Sequence, residues 1–195
     1  MPKKVDHDER REELTLAAWR VIAANGIDEV TIRDIARESG YSSGVLAHYF
    51  KNKDDLLAHA LQLSHTRIRK RYDVEREQAE AADALRVILL DNLPLDEQRE
   101  METRIEMSFW ARALRNEALH EIQQHESETL RALLRDLIER AQEEGAIASE
   151  HDIEEVLELL GAVIDGVSLH ALLYPARLPA EKQARVMEFA LALLK

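Results

Sequence analysis

The chain has 195 residues, 46% of them hydrophobic and 33% charged, with 26 Lys+Arg against 38 Asp+Glu and a formal net charge of -12. This apolar content supports a folded core and excludes a disordered chain. The lack of cysteine excludes a disulfide framework, a thiolate metal site and a cysteine nucleophile. No apolar run follows the basic start MPKK, and no stretch of about 18 apolar residues occurs. We therefore expect a cytoplasmic protein without a membrane segment.

The charge is unevenly distributed along the chain. Residues 1–72 carry 13 Lys+Arg and 11 Asp+Glu, which leaves 13 and 27 for residues 73–195. The N-terminal part is therefore close to neutral, while the larger C-terminal part is strongly acidic. Because an acidic surface repels a polyanion, only the N-terminal part is expected to approach nucleic acid.

Glycine and proline placement predicts long helices. Between Gly44 and Gly145 there is no glycine and a single proline, Pro94, while Ala, Leu, Glu and Arg dominate. No segment alternates between apolar and polar residues as a strand does. The sequence therefore predicts an all-α fold of about nine helices.

The first two helices have clear boundaries. The first is predicted from about Asp8 to Asn25, and Gly26 follows where a left-handed C-cap residue is needed. Its apolar stripe consists of Leu14, Ala17, Ala18, Val21 and Ile22. Thr31 and Asp34 have the spacing of a capping box at the start of the second helix, which ends near Gly40.

A third short helix is predicted over residues 43–49, with Ser42 as its N-cap. Leu46, Tyr49 and Phe50 make its inward face. The outward face is small and polar and consists of Ser43, Gly44, Ala47 and His48. A helix that enters a DNA groove about 12 Å wide needs short side chains with hydrogen-bonding tips. After it, Asn52 caps a long fourth helix that starts at Lys53 and runs to about Gln78.

The second and third helices form a helix-turn-helix pattern. Ala36 is small where the two helices cross, and Gly40 allows the tight turn between them. Residues 10–57 comprise the amphipathic first helix and the segment TIRDIARESGYSSGVLAHYFKNKDDLL. Together they resemble the DNA-binding domain of the TetR family of transcriptional regulators. Its serine-glycine start and its HYF triplet are similar to the branch that contains the choline/betaine repressor.

The resemblance assigns roles to the residues of this motif. It places Ser43, Gly44, Ala47 and His48 at base-facing positions, and Thr31, Arg33, Tyr49 and Lys53 at phosphate-contact positions. The helix N-termini at Thr31, Ser42 and Lys53 add amides that favour a phosphate. No base-facing residue is a bidentate Arg or Asn, so part of the specificity is expected from DNA shape.

Several of these residues also have a purely structural interpretation. Thr31 and Ser42 would cap their helices whether or not DNA binds, and His48 could be surface decoration. The basic residues Lys3, Lys4, Arg10 and Arg11 could form an arm that reaches the minor groove, or simply a frayed terminus.

The resemblance divides the chain into a DNA-binding domain, residues 1–53, and a helical ligand-binding and dimerisation domain, residues 54–195. The helix predicted between Ser149 and Tyr174 has two apolar stripes, so one side can face the core and the other a partner. Gly161, Ala162 and Gly166 would permit close helix approach. The expected interface of a two-fold symmetric homodimer comprises Val156, Leu160, Val163 and Val167 with Val186, Phe189, Ala190 and Leu193 of the last helix.

A ligand pocket is less clearly indicated than the DNA-binding surface. Pro94 and a turn near Asn116 divide residues 80–145 into three helices. The large and polar residues of the middle helix include Arg104, Met107, Phe109 and Trp110, and they favour either core packing or a pocket. In a pocket, Asp165 and His170 would supply polar contacts and Glu106 a counter-charge for a cation.

The aromatic residues do not favour a choline-like ligand. An aromatic cage for a quaternary ammonium needs several rings. Residues 73–195 contain only Phe109, Trp110, Tyr174 and Phe189.

The sequence thus predicts a ligand-responsive transcriptional regulator, in particular a repressor. It would bind a palindromic double-stranded operator as a dimer and be released by a small-molecule effector. No catalytic residue, metal or cofactor is predicted, because His120 and His125 are five residues apart and there is no phosphate-binding glycine loop. The alternative is a helical ligand- or protein-binding module that has lost specific DNA binding.

Overall fold

The computed structural model describes residues 7–26, 30–76 and 79–195, without the side chains of Asp8, Ala23, Ser64 and residues 71–76. These residues form nine helices and no strand, which confirms the predicted all-α fold. The helices are α1 (His7–Asn25), α2 (Ile32–Ser39), α3 (Ser43–Tyr49), α4 (Lys53–Arg76), α5 (Ala81–Asp91), α6 (Glu97–Ala113), α7 (Glu117–Glu143), α8 (Ile153–Leu173) and α9 (Ala180–Ala192).

Local hydrogen bonds explain where the short helices begin and end. The Thr31 hydroxyl accepts from the amide of Asp34, and the Asp34 carboxylate accepts from the amide of Thr31, so the predicted capping box is present. Gly40 ends α2 with a φ of 73°, in the left-handed region that favours glycine. The Ser42 hydroxyl caps α3, and Asn52 accepts from the amide of Asp55 at the start of α4.

The chain divides into two compact units. The first comprises the described residues up to Thr66 together with Arg104–Gln123, and the second comprises Arg67–Thr103 and Gln124–Lys195. This division differs from the predicted boundary after residue 53. The start of α4, the end of α6 and the start of α7 share the first unit with α1, α2 and α3, because their apolar side chains are buried there.

The core of the first unit contains the whole predicted stripe of α1. Leu14, Ala17, Ala18, Val21 and Ile22 are buried, as are Ile35 of α2, Leu46 of α3 and Leu57 of α4. The Trp19 indole also lies in this core and donates a hydrogen bond from Nε1 to the carbonyl of Ala60 at 2.9 Å. This bond joins α1 directly to α4.

Phe109 is a core residue of the first unit, with 1% of its surface exposed. We expect Phe109→Ala to lower the free energy of unfolding by about 3–5 kcal/mol, because the truncation leaves a cavity. Leu114→Ala removes an apolar side chain that is 83% exposed and should change the stability by less than about 0.5 kcal/mol. Urea unfolding measures both values. Equal stability of the two variants would show that Phe109 is not packed in the core.

The core of the second unit is made by α5, α7, α8 and α9. It includes Leu85 and Leu89 of α5, Leu137 and Ile138 of α7, and Met187 of α9. By length and composition α8 could cross a membrane. In this fold its buried residues pack against the same core.

The structure shows which residues of the predicted dimer interface are covered within the single chain. Val156, Leu160 and Val167 are buried within the core of the second unit, Val163 and Val186 pack against that core, and Ala190 of α9 is buried. These side chains are covered by helices of their own chain and offer little surface to a partner. Of the eight predicted residues, Phe189 and Leu193 are exposed.

Candidate nucleic-acid interface

The helix-turn-helix is formed by α2, a tight turn and α3. The amide of Tyr41 donates to the carbonyl of Ala36 at 3.1 Å, which closes the turn around Gly40. Ile35 and Ala36 of α2 and Leu46 of α3 are buried against the rest of the first unit. The turn and these buried residues together fix which face of α3 points outward.

That outward face consists of the four residues that the sequence placed there. Ser43, Gly44, Ala47 and His48 are all exposed, and the Tyr49 ring is half-buried beside them. A Cβ atom at Gly44 would meet only the Ser42 hydroxyl, at 3.7 Å. Packing within the chain therefore does not require glycine at this position, whereas close approach to a DNA groove favours it.

The predicted phosphate-contact residues lie at the start of α2, at the end of α3 and at the start of α4. Arg33 is exposed on α2, and Lys53 is half-buried at the start of α4. The Thr31 hydroxyl accepts from the amide of Asp34 at 3.2 Å and donates to its carboxylate at 2.5 Å, and the first of these bonds caps α2. Hydrogen bonds from the side chain and backbone of Thr31 hold the pKa of Asp34 below its ordinary value. Arg37 pairs with this carboxylate at 2.8 Å and offsets its charge.

Two residues of α1, His7 and Arg11, reach the end of α3. The ring of His7 lies against Tyr49 with 4.5 Å between centroids. Arg11 donates from Nη2 to the carbonyl of Tyr49 at 3.5 Å. Arg10 and Arg11 both lie within α1, so they are not part of a separate arm. Lys3 and Lys4 are outside the described residues.

An ion pair joins the start of α4 to the corner between α6 and α7. Asp54, next to Lys53, accepts hydrogen bonds from the guanidinium of Arg112 and from Nδ2 of Asn116, the latter at 3.0 Å. These partners are 58 and 62 residues away in the chain. No local pattern could have indicated a pairing at such a separation.

The predicted ligand residues are divided between the two units. Phe109 is buried in the core of the first unit, while Arg104 is exposed and Met107 and Trp110 are half-buried in the same unit. Asp165 and His170 belong to the second unit, where both are exposed on α8. Trp110 does contribute to a polar cluster on α6.

Glu106 is the centre of that cluster. Its carboxylate accepts hydrogen bonds from His65 Nε2 at 3.0 Å, Trp110 Nε1 at 3.0 Å and Gln123 Nε2 at 3.1 Å. Burial raises the pKa of the Glu106 carboxyl. The hydrogen bond and the charge of His65 lower it, as do the hydrogen bonds from Gln123 and Trp110, and the resulting pKa lies below the ordinary value. Glu106 is therefore engaged by three donors of its own unit, which leaves little of it to act as a counter-charge for a cation.

The lowered pKa of Glu106 predicts an acid-dependent loss of stability. The carboxylate binds its proton less readily in the folded chain than in the unfolded chain. Its contribution to the free energy of unfolding is therefore present at pH values above the pKa of the unfolded chain, and it is lost as the pH falls through the pKa of the folded chain. We expect Glu106→Gln to lower the free energy of unfolding by about 1–3 kcal/mol at neutral pH. This deficit should shrink as the pH falls below 4.5, the ordinary pKa of a glutamate.

Urea unfolding at a series of pH values measures the effect of Glu106→Gln. Glu128→Gln is the matched control, because Glu128 is exposed in the interior of α7 and its substitution should leave the curve unchanged. A deficit of the same size at neutral and acidic pH would show that the charge of Glu106 does not contribute.

An apolar face remains exposed along α8 and α9. Its members on α8 are spaced alternately by three and four residues, as on one side of a helix. The α8–α9 apolar face comprises Leu159, Ala162, Gly166, Leu169 and Leu173 of α8 with Phe189 and Leu193, and all of them are exposed. A Cβ atom at Gly166 would meet nothing within 4 Å.

No group of three or more His, Asp or Glu side chains in the described part of the chain could hold a metal ion. His120 and His125 are both exposed on α7. The candidate site is therefore the exposed surface around α3.

Comparison with known proteins agrees with the helix-turn-helix and extends to the rest of the chain. Residues 14–60 match the family model of bacterial regulatory proteins, tetR family, and residues 81–194 match that of the BetI-type transcriptional repressor, C-terminal. The two models cover both parts of the fold.

Two relatives are similar over almost their full length. The chain is 33% identical over 192 residues to the HTH-type transcriptional regulator PksA of Bacillus subtilis (strain 168), with 96% of this chain and 90% of that protein covered. It is 30% identical over 190 residues to the HTH-type transcriptional regulator BetI of Stenotrophomonas maltophilia (strain R551-3), covering 95% and 93%. Both relatives are transcriptional regulators.

A solved structure has the same fold. A transcriptional regulator from Saccharomonospora viridis, in complex with choline, superposes with a TM-score of 0.86 at 24% identity, and 93% of this chain and 95% of that chain are covered. At this identity the likeness establishes the fold alone. With the capped helix-turn-helix, its exposed polar face and the two family matches, the chain belongs to the TetR family and is a DNA-binding transcriptional regulator with a BetI-type C-terminal domain.

Proposed function

We propose that the protein is a cytoplasmic, homodimeric repressor that releases its operator when a small-molecule effector binds, and that it catalyses no reaction. The observation that carries this proposal is the exposed face of α3, where small and polar side chains project from a helix held by two caps. A generic surface helix would more often carry long charged side chains there. The shortness of these side chains suits a helix that enters the major groove.

DNA fragments from the region upstream of the protein's own gene test this proposal. We expect the protein to shift one such fragment at low salt and to shift an unrelated fragment of equal length much more weakly. The affinity should fall steeply as salt is raised, because the contacts to phosphate release counterions. Equal affinity for all fragments would favour the alternative, a helical module that has lost specific DNA binding.

The α8–α9 apolar face supports a second copy of this chain as the partner. The small residues Ala162 and Gly166 lie between exposed leucines, and the open space around Gly166 lets another helix approach closely. Monomeric proteins rarely expose a contiguous apolar surface of this kind. A self-complementary stripe of this kind suits a two-fold axis, which matches a palindromic operator.

Charge along α8 and α9 favours an antiparallel arrangement of the two copies. The N-terminal part of α8 exposes the acidic residue Glu155, while the connection to α9 and the start of α9 expose the basic residues Arg177 and Lys182. In a two-fold pair of antiparallel α8 helices, the acidic end of one helix lies near the basic end of its partner. Such opposite charges would select this orientation.

The polar cluster of α6 is the part of the first unit that we propose for effector contact. Gln123 Oε1 is buried and has no hydrogen-bond partner within the described residues, so a ligand with a hydrogen-bond donor would satisfy it. Met107 and Trp110 are half-buried on α6 and would supply apolar contact. Arg104 of the same unit is exposed and would contact the effector only peripherally.

The aromatic residues argue against a ring cage for choline. Phe109 is buried in a core, and Tyr174 and Phe189 are 48% and 66% exposed in the other unit. Choline, which is bound by the regulator from Saccharomonospora viridis, should therefore neither raise the melting temperature nor release DNA. A metabolite screen read by melting temperature would identify the effector, and Trp110→Ala should abolish its effect. Release by choline would overturn this part of the proposal.

A further inference from the structure

His7 lies against the C-terminal end of α3, opposite the end that Ser42 caps. Its ring centroid is 4.5 Å from that of Tyr49 and 5.5 Å from that of His48. His48 and Tyr49 meet edge to face at 5.4 Å. Each of the three rings therefore contacts the other two, at distances typical of attractive aromatic pairs.

A second residue on the same side of α1 holds the backbone of α3. Arg11, one turn after His7, donates from Nη2 to the carbonyl of Tyr49 at 3.5 Å, and its guanidinium lies 5.6 Å from the ring centroid of Phe50. The last turn of α3 is thus held at its backbone by Arg11 and at its rings by His7. Both residues of α1 therefore contact the turn of α3 that carries His48.

Contact with these rings restricts the orientation of His48. An exposed imidazole on a short helix would otherwise exchange between rotamers, and ordering it on DNA would cost conformational entropy. With Tyr49 at its edge and His7 beside it, the His48 ring is already confined before DNA binds. The ring nitrogens then point in a limited set of directions toward a base edge.

We propose that His7 is a positioning residue for DNA reading: it confines the His48 ring in the orientation that contacts the operator. The inference rests on the proposed DNA-binding function of the α3 face. His7 acts by packing against the rings of His48 and Tyr49, and its imidazole forms no hydrogen bond to DNA.

Two substitutions separate ring packing from direct contact with DNA. His7→Phe keeps a ring and removes both nitrogens, whereas His7→Ala removes the ring. The affinity for the operator is measured for each variant, and binding-site selection from randomised DNA gives the preferred bases. In the free protein, the NMR signals of the His48 ring report its surroundings, since a neighbouring ring shifts them.

We expect His7→Ala to weaken operator binding about three- to tenfold, to relax the preference at the base pairs nearest His48, and to move the His48 ring signals. His7→Phe should retain the affinity and the base preference. His7 is exposed, so neither variant should change the melting temperature. Equal loss of affinity in both variants with unchanged base preference would show direct contact of the His7 nitrogens with DNA and overturn the proposal, as would unchanged affinity in both.

A wild-type protein that binds no specific DNA would overturn the proposed function and, with it, a role of His7 in reading an operator. The NMR signals would still separate the two failures, because a His48 ring moved by His7→Ala and not by His7→Phe demonstrates the ring packing by itself. Unmoved His48 signals in both variants would overturn the inference whether or not DNA binds.

Discussion

Leu169→Glu should convert the protein into a monomer. Leu169 lies in the middle of the α8–α9 apolar face and is 43% exposed in the single chain. In a two-fold dimer each substitution acts twice, and burying an unpaired carboxylate costs several kcal/mol per ion. The dissociation constant of the dimer should therefore rise by at least about a hundredfold. Light scattering at micromolar concentration measures this change.

The affinity for the operator should fall when the dimer dissociates. A monomer binds one half-site at a time and loses the gain in effective concentration that linkage of two DNA-binding domains provides. We expect a loss of at least about a hundredfold in operator affinity. Gln124→Glu is the control, because it adds the same charge at an exposed position of α7 and should leave both the dimer and the DNA affinity unchanged. A dimeric Leu169→Glu variant would contradict the proposed interface.

Gly166→Ala gives an independent test of the same interface through effects of opposite sign. A methyl group at Gly166 has open space within the chain, and alanine stabilises a helix relative to glycine by up to about 1 kcal/mol. The single chain should therefore become more stable to urea at concentrations where it is monomeric. If the partner helix approaches closely at Gly166, the added methyl group should weaken the dimer, which analytical ultracentrifugation measures. A dimer strengthened by the substitution would place the closest approach elsewhere.

His48→Ala and Lys53→Ala should each weaken operator binding, but for different reasons. His48 projects from the exposed face of α3, and loss of a base contact costs about 1–3 kcal/mol in each half-site. In a dimer this amounts to a loss of roughly thirtyfold or more. The preference for bases near His48 should relax, since the contact that distinguishes them is gone.

Lys53→Ala should act on charge and not on sequence preference. Removing one phosphate contact from each of two subunits should reduce the slope of affinity against salt by about 2. The preference among operator variants should stay the same. Lys70→Ala is the control, because Lys70 is exposed further along α4 and its loss should change neither quantity.

Fluorescence anisotropy with labelled operator at several salt concentrations measures these effects. A reduced salt slope for His48→Ala would show that His48 contacts phosphate and not a base. An unchanged slope for Lys53→Ala would remove Lys53 from the DNA contacts. Either result would correct a residue role that the resemblance to the TetR family implied.

The helices and their caps could be predicted from the sequence because the causes are local. Thr31 and Asp34 are three residues apart, and a capping box needs no other partner. Gly40 adopts the left-handed φ of the turn, and this preference of glycine does not depend on how the helices pack. The exposed face of α3 follows from the same local periodicity, once Leu46 is taken as buried.

The side chains that α8 leaves exposed could not be predicted in the same way. The sequence predicts two apolar stripes on α8, one for the core and one for a second copy. In the structure the residues of both stripes are buried in the core of the second unit or packed against it, and the exposed stripe runs through Leu159, Leu169 and Leu173. Periodicity shows which side chains avoid water, but not whether the covering surface belongs to the same chain.

The sequence by itself determined the all-α fold, the limits of the helices, the helix-turn-helix and the residues on its outward face, because these depend on hydrogen bonds and spacing within a few residues. Only the tertiary structure decided the contacts between distant segments. It brought His7 to His48, joined Asp54 to Arg112 and placed Glu106 between His65 and Gln123. Such pairs form because buried apolar faces bring separate helices together, and polar groups at their edges then find partners that no local pattern specifies.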